Sequence, residues 1–424
     1  MVWIGETGLN NIILTGTGLL PITTTHKKID EIVNKHWWEP WQNNLDSKDI
    51  KDKRRFFNRV TMDIFRPMSH KRWYLNFEKS PLKQLKLINE DGQQLAQIIG
   101  LELLKIGDTL VLYYTVKTSS LSESQAYDTH RKLFSFFPKT SSAQLPIWSF
   151  GETSQSLLSW LENFLDMKLE HGEDYVEDWM GHELPYCLHV ESSGNNSEKL
   201  LINFAAGANP SRTNYEISQQ EYFQLQQQIF SVWSDWNCLQ NNHRLIFCST
   251  ADANALRANL FTHKYYIDLY VLALFQRIQY AYFQEQFSGA DKRTFQLLFR
   301  EIKQFRKQYQ LAHVSTYPLA QRLYDYFSHR LFLRKLDEQV FREIDFHNSE
   351  EQREQTDKYN TMLFSISVIA AVVLPLNSLS ALFAIAPEQR DWAFWLTSAL
   401  SGIGILLVML TPVWWRKRKL AKQK

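Results

Sequence analysis

Two patterns of apolar spacing divide the chain. Up to about residue 255, short apolar runs are punctuated by turn residues. Leu85–Ile88, Ala96–Leu101 and Thr109–Val116 alternate as strands, separated by Asp91-Gly92 and Gly107-Asp108 turns. Ile12-Ile13-Leu14 ahead of Gly16-Thr17-Gly18 predicts a strand and turn. Tyr186–Glu191 and Leu200–Ala206 flank Ser193-Gly194-Asn195-Asn196 in a hairpin pattern, and Leu245–Cys248 adds another strand. Helical stretches lie between, at Ser154–Met167 and Ser218–Trp233. Residues 1–255 therefore predict a mixed α/β domain.

From Thr262 onward the spacing becomes helical. Tyr266, Leu269, Tyr270, Ala273, Ile278, Ala281 and Tyr282 recur at three and four residues, predicting one helix to Phe287. Asp291 is placed to cap a second helix carrying Phe295, Leu298, Ile302 and Phe305. A third begins at Pro318, in the first turn, where a missing N–H costs nothing. No strong breaker interrupts it before Pro375, so a helix to Ala386 is expected, on the order of 100 Å long.

The end of the chain changes the picture again. Thr361–Ala386 and Trp392–Trp415 are uncharged runs separated by Pro387–Asp391, and the second ends in Arg416, Lys417, Arg418 and Lys419. Each run reaches the ~20 residues needed to cross a bilayer, and the short break predicts a helical hairpin. The basic end places both termini in the cytoplasm, and Trp392, Trp395, Trp414 and Trp415 sit at the two ends of the second run, where aromatic belts belong.

Composition narrows the classes. The 424 residues suggest two or three structural units at ~150 residues each. A net charge of +2 does not point to nucleic acid. Cys187, Cys238 and Cys248 are too few and scattered for a disulfide framework, which fits a reducing compartment. Met1 to Glu6 lacks a basic n-region and an apolar h-region, so no signal peptide is expected. Gly16 and Gly18 have no third glycine, and Pro21 interrupts the helix that a dinucleotide fingerprint requires. Trp37, Trp38 and Trp41 beside Lys35 and His36 could stack bases, but buried packing is the commoner use. His182 and Glu183 point apart on a helix and make no metal pair. No catalytic constellation emerges, no enzyme activity and no cofactor are expected, and a metal site is not assigned.

A large α/β domain, an antiparallel helical pair, one very long helix, and a two-helix transmembrane hairpin with a basic tail: this plan resembles the CorA-type magnesium transporters. Asn360 stands where the family commonly carries a polar pore residue, Leu374-Pro375-Leu376 matches its LPL, and Trp415 to Leu420 is similar to its basic end. The expected fold class is thus an α/β cytoplasmic domain (1–255), a helical hairpin and long stalk helix (256–358), transmembrane helices at 359–386 and 392–415, and a cytoplasmic tail (416–424). Where the family has Tyr-Gly-Met-Asn, this chain has Phe383-Ala384-Ile385-Ala386, followed by Pro387-Glu388. Ala386 offers no side-chain oxygen to a hydrated cation.

Asn360, Ser367, Ala371 and Ser378 share one helical face, and with Leu363, Leu374, Asn377 and Ala381 they are the candidate pore lining. The same small residues would also serve close helix packing. Ala384, Ile385, Ala386 and Glu388 would form the pore mouth. Glu343, Asp345, Glu350, Glu351, Glu354 and Asp357, with Arg416–Lys419, would form a gating collar.

The resemblance implies a homo-oligomer, expected to be pentameric, in a bacterial-type inner membrane, with the lipid bilayer as partner. It implies cation passage with altered selectivity, a divalent cation being substrate or regulator. The alternative is a ligand-gated effector or sensor whose α/β domain binds a small signal such as a nucleotide.

Overall fold

In the computed structural model, the described residues are 11–23, 26–35, 38–40, 56–65, 71–76, 85–88, 92–107, 109–136, 145–150, 153–167, 184–193, 197–212, 216–250, 264–287 and 291–383, with isolated positions between 392 and 403. Side chains along the final helix are described as far as Ala371. Contacts divide the chain into two units, Met1–Val340 and Phe341–Lys424.

The first unit is built on one mixed twelve-stranded sheet. Its centre is β1 (Ile12–Thr23), flanked antiparallel by β6 (Thr109–Thr118) and β9 (Tyr186–Ser192). Beyond β6 lies β5 (Gln94–Ile106), whose outer edge is shared. Its first residues pair with β4 (Lys86–Ile88) and its last with β3 (Arg72–Leu75). The short β2 (Trp38–Pro40) extends β3, while β7 (Ile147–Phe150) and β8 (Thr153–Ser156) extend β4. On the other side, β12 (Arg244–Thr250) runs parallel to β9, followed outward by β11 (Trp236–Asn241) and β10 (Phe230–Trp233).

Both faces of the central strands are buried, so β6 reads as a near-continuous apolar run rather than an alternation. On one face lie α3 (Glu123–Phe134) and α5 (Ser197–Ala206). Tyr114 donates its hydroxyl to the Leu133 carbonyl at 3.1 Å there, and Tyr186 stacks on Phe134 with ring centroids 3.9 Å apart. Ser122 and Gln125 form a reciprocal capping box that starts α3. On the opposite face lies α7 (Tyr265–Phe287), with Tyr266 stacked on Phe247 of β12. Nearly every side chain of α7 from Tyr265 to Gln276 is buried. That is the signature of a helix covered on all sides. Its outer side is met by α8 (Lys292–Tyr309) and α9 (Pro318–Arg330), through Phe275 against Phe305 and Tyr270 against Phe327. Smaller helices complete the unit: α1 (His26–Lys35), α2 (Arg59–Phe65), α4 (Leu157–Leu165) and α6 (Gln219–Gln226).

The predicted strands at 85–88, 96–101, 109–116, 186–191 and 245–248 are all found, as are the Asp291 cap and the helix opening at Pro318. Several local expectations are corrected. Leu200–Ala206 belongs to the helix α5, whose residues from Leu200 to Ala205 are all buried, so its near-continuous apolar run is that of a helix covered on all sides. Ser154–Met167 and Ser218–Trp233 each divide into a strand and a helix. The helix from Pro318 breaks at Phe332, which takes a left-handed φ of 57°, and resumes as α10 (Leu333–Phe383).

The expected architecture is corrected at its end. Among the described residues no helix is long and apolar enough to cross a membrane, and no two-helix transmembrane hairpin is seen. Across Tyr359–Ala371, Asn360, Thr361, Ser365 and Ser367 interrupt the apolar side chains of α10. Most of the second run, Trp392–Trp415, lies outside the described residues. The CorA-like fold class, the inner-membrane location with cytoplasmic termini, and membrane ion transport all rested on that hairpin, and they fall with it.

Gly16 and Gly18 are explained by packing rather than by a turn, since both lie inside β1. A Cβ at Gly18 would fall 2.1 Å from Cε1 of the fully buried Tyr114. Glycine in a strand interior marks such close approach. Gly18→Ala is expected to cost about 1–3 kcal/mol by overpacking, read as a lowered urea midpoint. Gly100→Ala in β5, where the added carbon would meet Thr115 at an ordinary 3.5 Å, should stay near neutral by the same measurement.

Candidate functional site

The sheet and α7 meet around a group of buried charges. Arg72 projects from β3, Glu102 from β5, Tyr113 from β6 and Asp268 from the first turn of α7, with Lys264 just before that turn. Arg72 is the hub. Its Nη1 donates to both Asp268 oxygens at 2.9 and 3.1 Å, while Nε and Nη2 donate to Glu102 Oε2 at 3.0 and 2.8 Å. Lys264 donates to the other Glu102 oxygen. Tyr113 lies beneath, its ring centroid 5.2 Å from both the Arg72 guanidinium carbon and the Lys264 nitrogen.

Two cations and two carboxylates balance within this cluster, which is what permits burial of ionised groups at all. The Asp268 side chain is 0% exposed and that of Arg72 2%. Burial alone would raise the Glu102 carboxyl, but Lys264 and then Arg72 outweigh it and hold the group at about 2. Burial lowers Lys264, opposed by Glu102. Burial also lowers Arg72, but Asp268 and Glu102 prevail and raise it. Burial pushes the Tyr113 hydroxyl and the neighbouring Cys187 thiol well up, with Asp268 adding to both. Glu102, Arg72, Tyr113 and Cys187 are thereby each held in one protonation state near neutrality. The arrangement suits clamping rather than proton transfer, since an acid–base catalyst needs a pKa near the working pH.

Two histidines are buried elsewhere in the sheet-based unit, each against a hydroxyl. His130 Nε2 lies 2.6 Å from the Tyr186 hydroxyl, and His189 Nε2 lies 2.7 Å from Ser249 Oγ. His189 also stacks on Trp236, and burial lowers its pKa to about 4. Among the described residues, no group of three or more His, Cys, Asp or Glu could hold a metal ion.

Of the residues predicted as a pore, those with described side chains stand on α10. Asn360, Leu363 and Ser367 are exposed on α10, and Ala371 is half-buried. The Ser367 hydroxyl donates to the Leu363 carbonyl of its own helix at 2.8 Å. Leu374, Asn377, Ser378 and Ala381 lie on α10, but their side chains are outside the described residues. Ala384, Ile385, Ala386, Glu388 and Arg416–Lys419 also lie outside. Of the collar residues, Glu343, Asp345, Glu350, Glu354 and Asp357 are exposed on α10 and Glu351 is half-buried. Trp38 is buried against Phe164, which leaves no open ring for a base. Trp37, Trp41, His182 and Glu183 are outside the described residues.

Sequence reasoning did not find the charge cluster. Its one local signal was Arg72 and Glu102 standing within runs of strand-forming residues, where an unpartnered charge would be costly. A second feature is an apolar surface on α10: Met362, Leu363, Ile366 and Ile369 are each more than half exposed, and Tyr359 is 68% exposed. No family model matches the chain, and no curated protein is similar to it in sequence.

Proposed function

We propose that this protein is a self-assembling effector: copies join through the apolar part of α10, and the sheet-based unit is the regulatory body that reads a small signal. The observation that carries this reading is the exposure of Met362, Leu363, Ile366 and Ile369 on one helix. Large apolar side chains at i, i+1, i+4 and i+7 in water form a patch that soluble surfaces avoid unless a partner covers it. A second copy presents the same helix, and matching apolar faces are what homo-oligomers bury. Cation passage is not carried forward, because it required the hairpin.

The test is the oligomeric state of the full chain by light scattering, with and without phosphatidylcholine vesicles. Self-assembly is expected in buffer alone. Leu363→Glu with Ile366→Glu should shift it to monomer with an unchanged far-ultraviolet circular dichroism spectrum. A wild-type chain that is monomeric in buffer overturns the reading. So does one that leaves solution for vesicles as a monomer, since lipid would then be what the patch meets.

A further inference from the structure

Lys264 is an unfavourable residue for the place it occupies. Its carbonyl accepts from the Asp268 N–H at 2.8 Å, the first bond of α7, so Lys264 is the residue that caps the helix. Three features work against it there. Its φ is +62°, the left-handed region that side chains with a Cβ adopt only at a cost. Its ammonium has no acceptor to offer the free N–H groups of the first turn, as an Asn or Ser cap would. It also brings a positive charge to the positive end of the helix dipole, with the side chain only 7% exposed. Strain of this kind persists only where the surroundings over-determine it. The surroundings are Glu102 on β5, which accepts from Lys264, and Tyr113 on β6, whose ring lies under the ammonium. Arg72 on β3 and Asp268 on α7 complete the set of charges facing it.

We propose that Lys264 is a strained helix cap latched by Glu102, and that the first turn of α7 is a two-state element whose closed state that carboxylate maintains. With Glu102 charged and in place, the cap is held and the turn is formed. If β5 moves away or the Glu102 charge is removed, Lys264 leaves for water and the turn around Asp268 opens. Asp268 keeps its bonds to Arg72, so the rest of α7 stays on the sheet. Opening would also disturb Tyr266, which accepts from Trp233 Nε1 at 3.2 Å and links the turn to β10. This inference concerns the sheet-based unit and does not depend on how copies assemble.

Native-state hydrogen exchange on the full chain tests it, read at the amides of Asp268 to Val271. Glu102→Gln is expected to speed their exchange about tenfold or more, with β6 and the last turns of α7 unchanged. Adding Lys264→Asn to that variant should restore protection, because Asn tolerates left-handed φ and caps with its side chain. Should Glu102→Gln fail to fold, Lys264→Ala and Lys264→Asn make the same comparison, with the alanine variant open and the asparagine variant closed. The proposal is overturned if exchange rises equally in β6, if it does not change, or if asparagine protects no better than its parent or alanine.

Discussion

Asp268→Ala is expected to destabilise the sheet-based unit by about 3–5 kcal/mol, seen as a large fall in the urea midpoint. Asp268 is fully buried and accepts two bonds from Arg72, itself 2% exposed. Removing the carboxylate leaves two cations, Arg72 and Lys264, sharing Glu102 alone in an apolar setting. The cost is that of a stranded charge rather than of one hydrogen bond. Replacing both partners, as Arg72→Met with Asp268→Leu, should therefore recover much of the loss, because Glu102 and Lys264 still neutralise each other. The exposed pair Arg334–Glu338 at 3.1 Å provides the contrast. Arg334→Ala should change stability by less than about 0.5 kcal/mol. A small effect of Asp268→Ala, comparable with that of Arg334→Ala, would show that water reaches the cluster.

Acidification is expected to unfold this protein in two overlapping steps, the first governed by His189. Burial holds its folded pKa at about 4, against 6.5 for the free side chain. Between those values the unfolded chain binds a proton that the folded chain refuses. The contribution is therefore complete above pH 6.5 and is lost as pH falls toward 4. The slope is about 1.4 kcal/mol per pH unit and the total on the order of 3 kcal/mol. Glu102 acts lower down. Its folded pKa of about 2 lies below the usual 4.5, so its stabilisation is full above 4.5 and is lost as pH falls through 2. Urea midpoints measured from pH 7.5 to 3.5 should fall steadily from about 6.5 downward. His189→Gln cannot titrate and keeps an amide to face Ser249, so its midpoint should stay level until about pH 4.5. A wild-type midpoint that is flat from pH 7 to 5 would mean that His189 charges freely in the folded state.

The local grammar of the chain was legible in its residues. Gly92 and Gly107 both adopt positive φ at the ends of the strands they were expected to bound. Asp291 accepts from the Thr294 N–H at 2.9 Å, and Pro318 opens a helix. These signals act over three or four residues and depend on backbone angles and on one nearby donor, so they survive whatever the rest of the chain does. Periodicity alone could not separate a strand from a helix in short apolar runs such as Leu200–Ala206. There the choice fell to the sheet face that α5 covers. The left-handed break at Phe332 carried no glycine to announce it. The uncharged runs near the end predicted a hairpin from composition, whereas among the described residues no helix is long and apolar enough to cross a membrane.

Alternation, caps and turn residues were thus enough to establish an α/β unit followed by long helices, since each depends only on neighbours in sequence. Tertiary structure alone decided that Gly18 must leave room for Tyr114, and that Arg72 and Glu102 meet Lys264 and Asp268 from far along the chain. A charge in a strand looks the same whether its partner is water or a buried carboxylate. Only the packing of α7 on the sheet removes the water and makes the partner necessary.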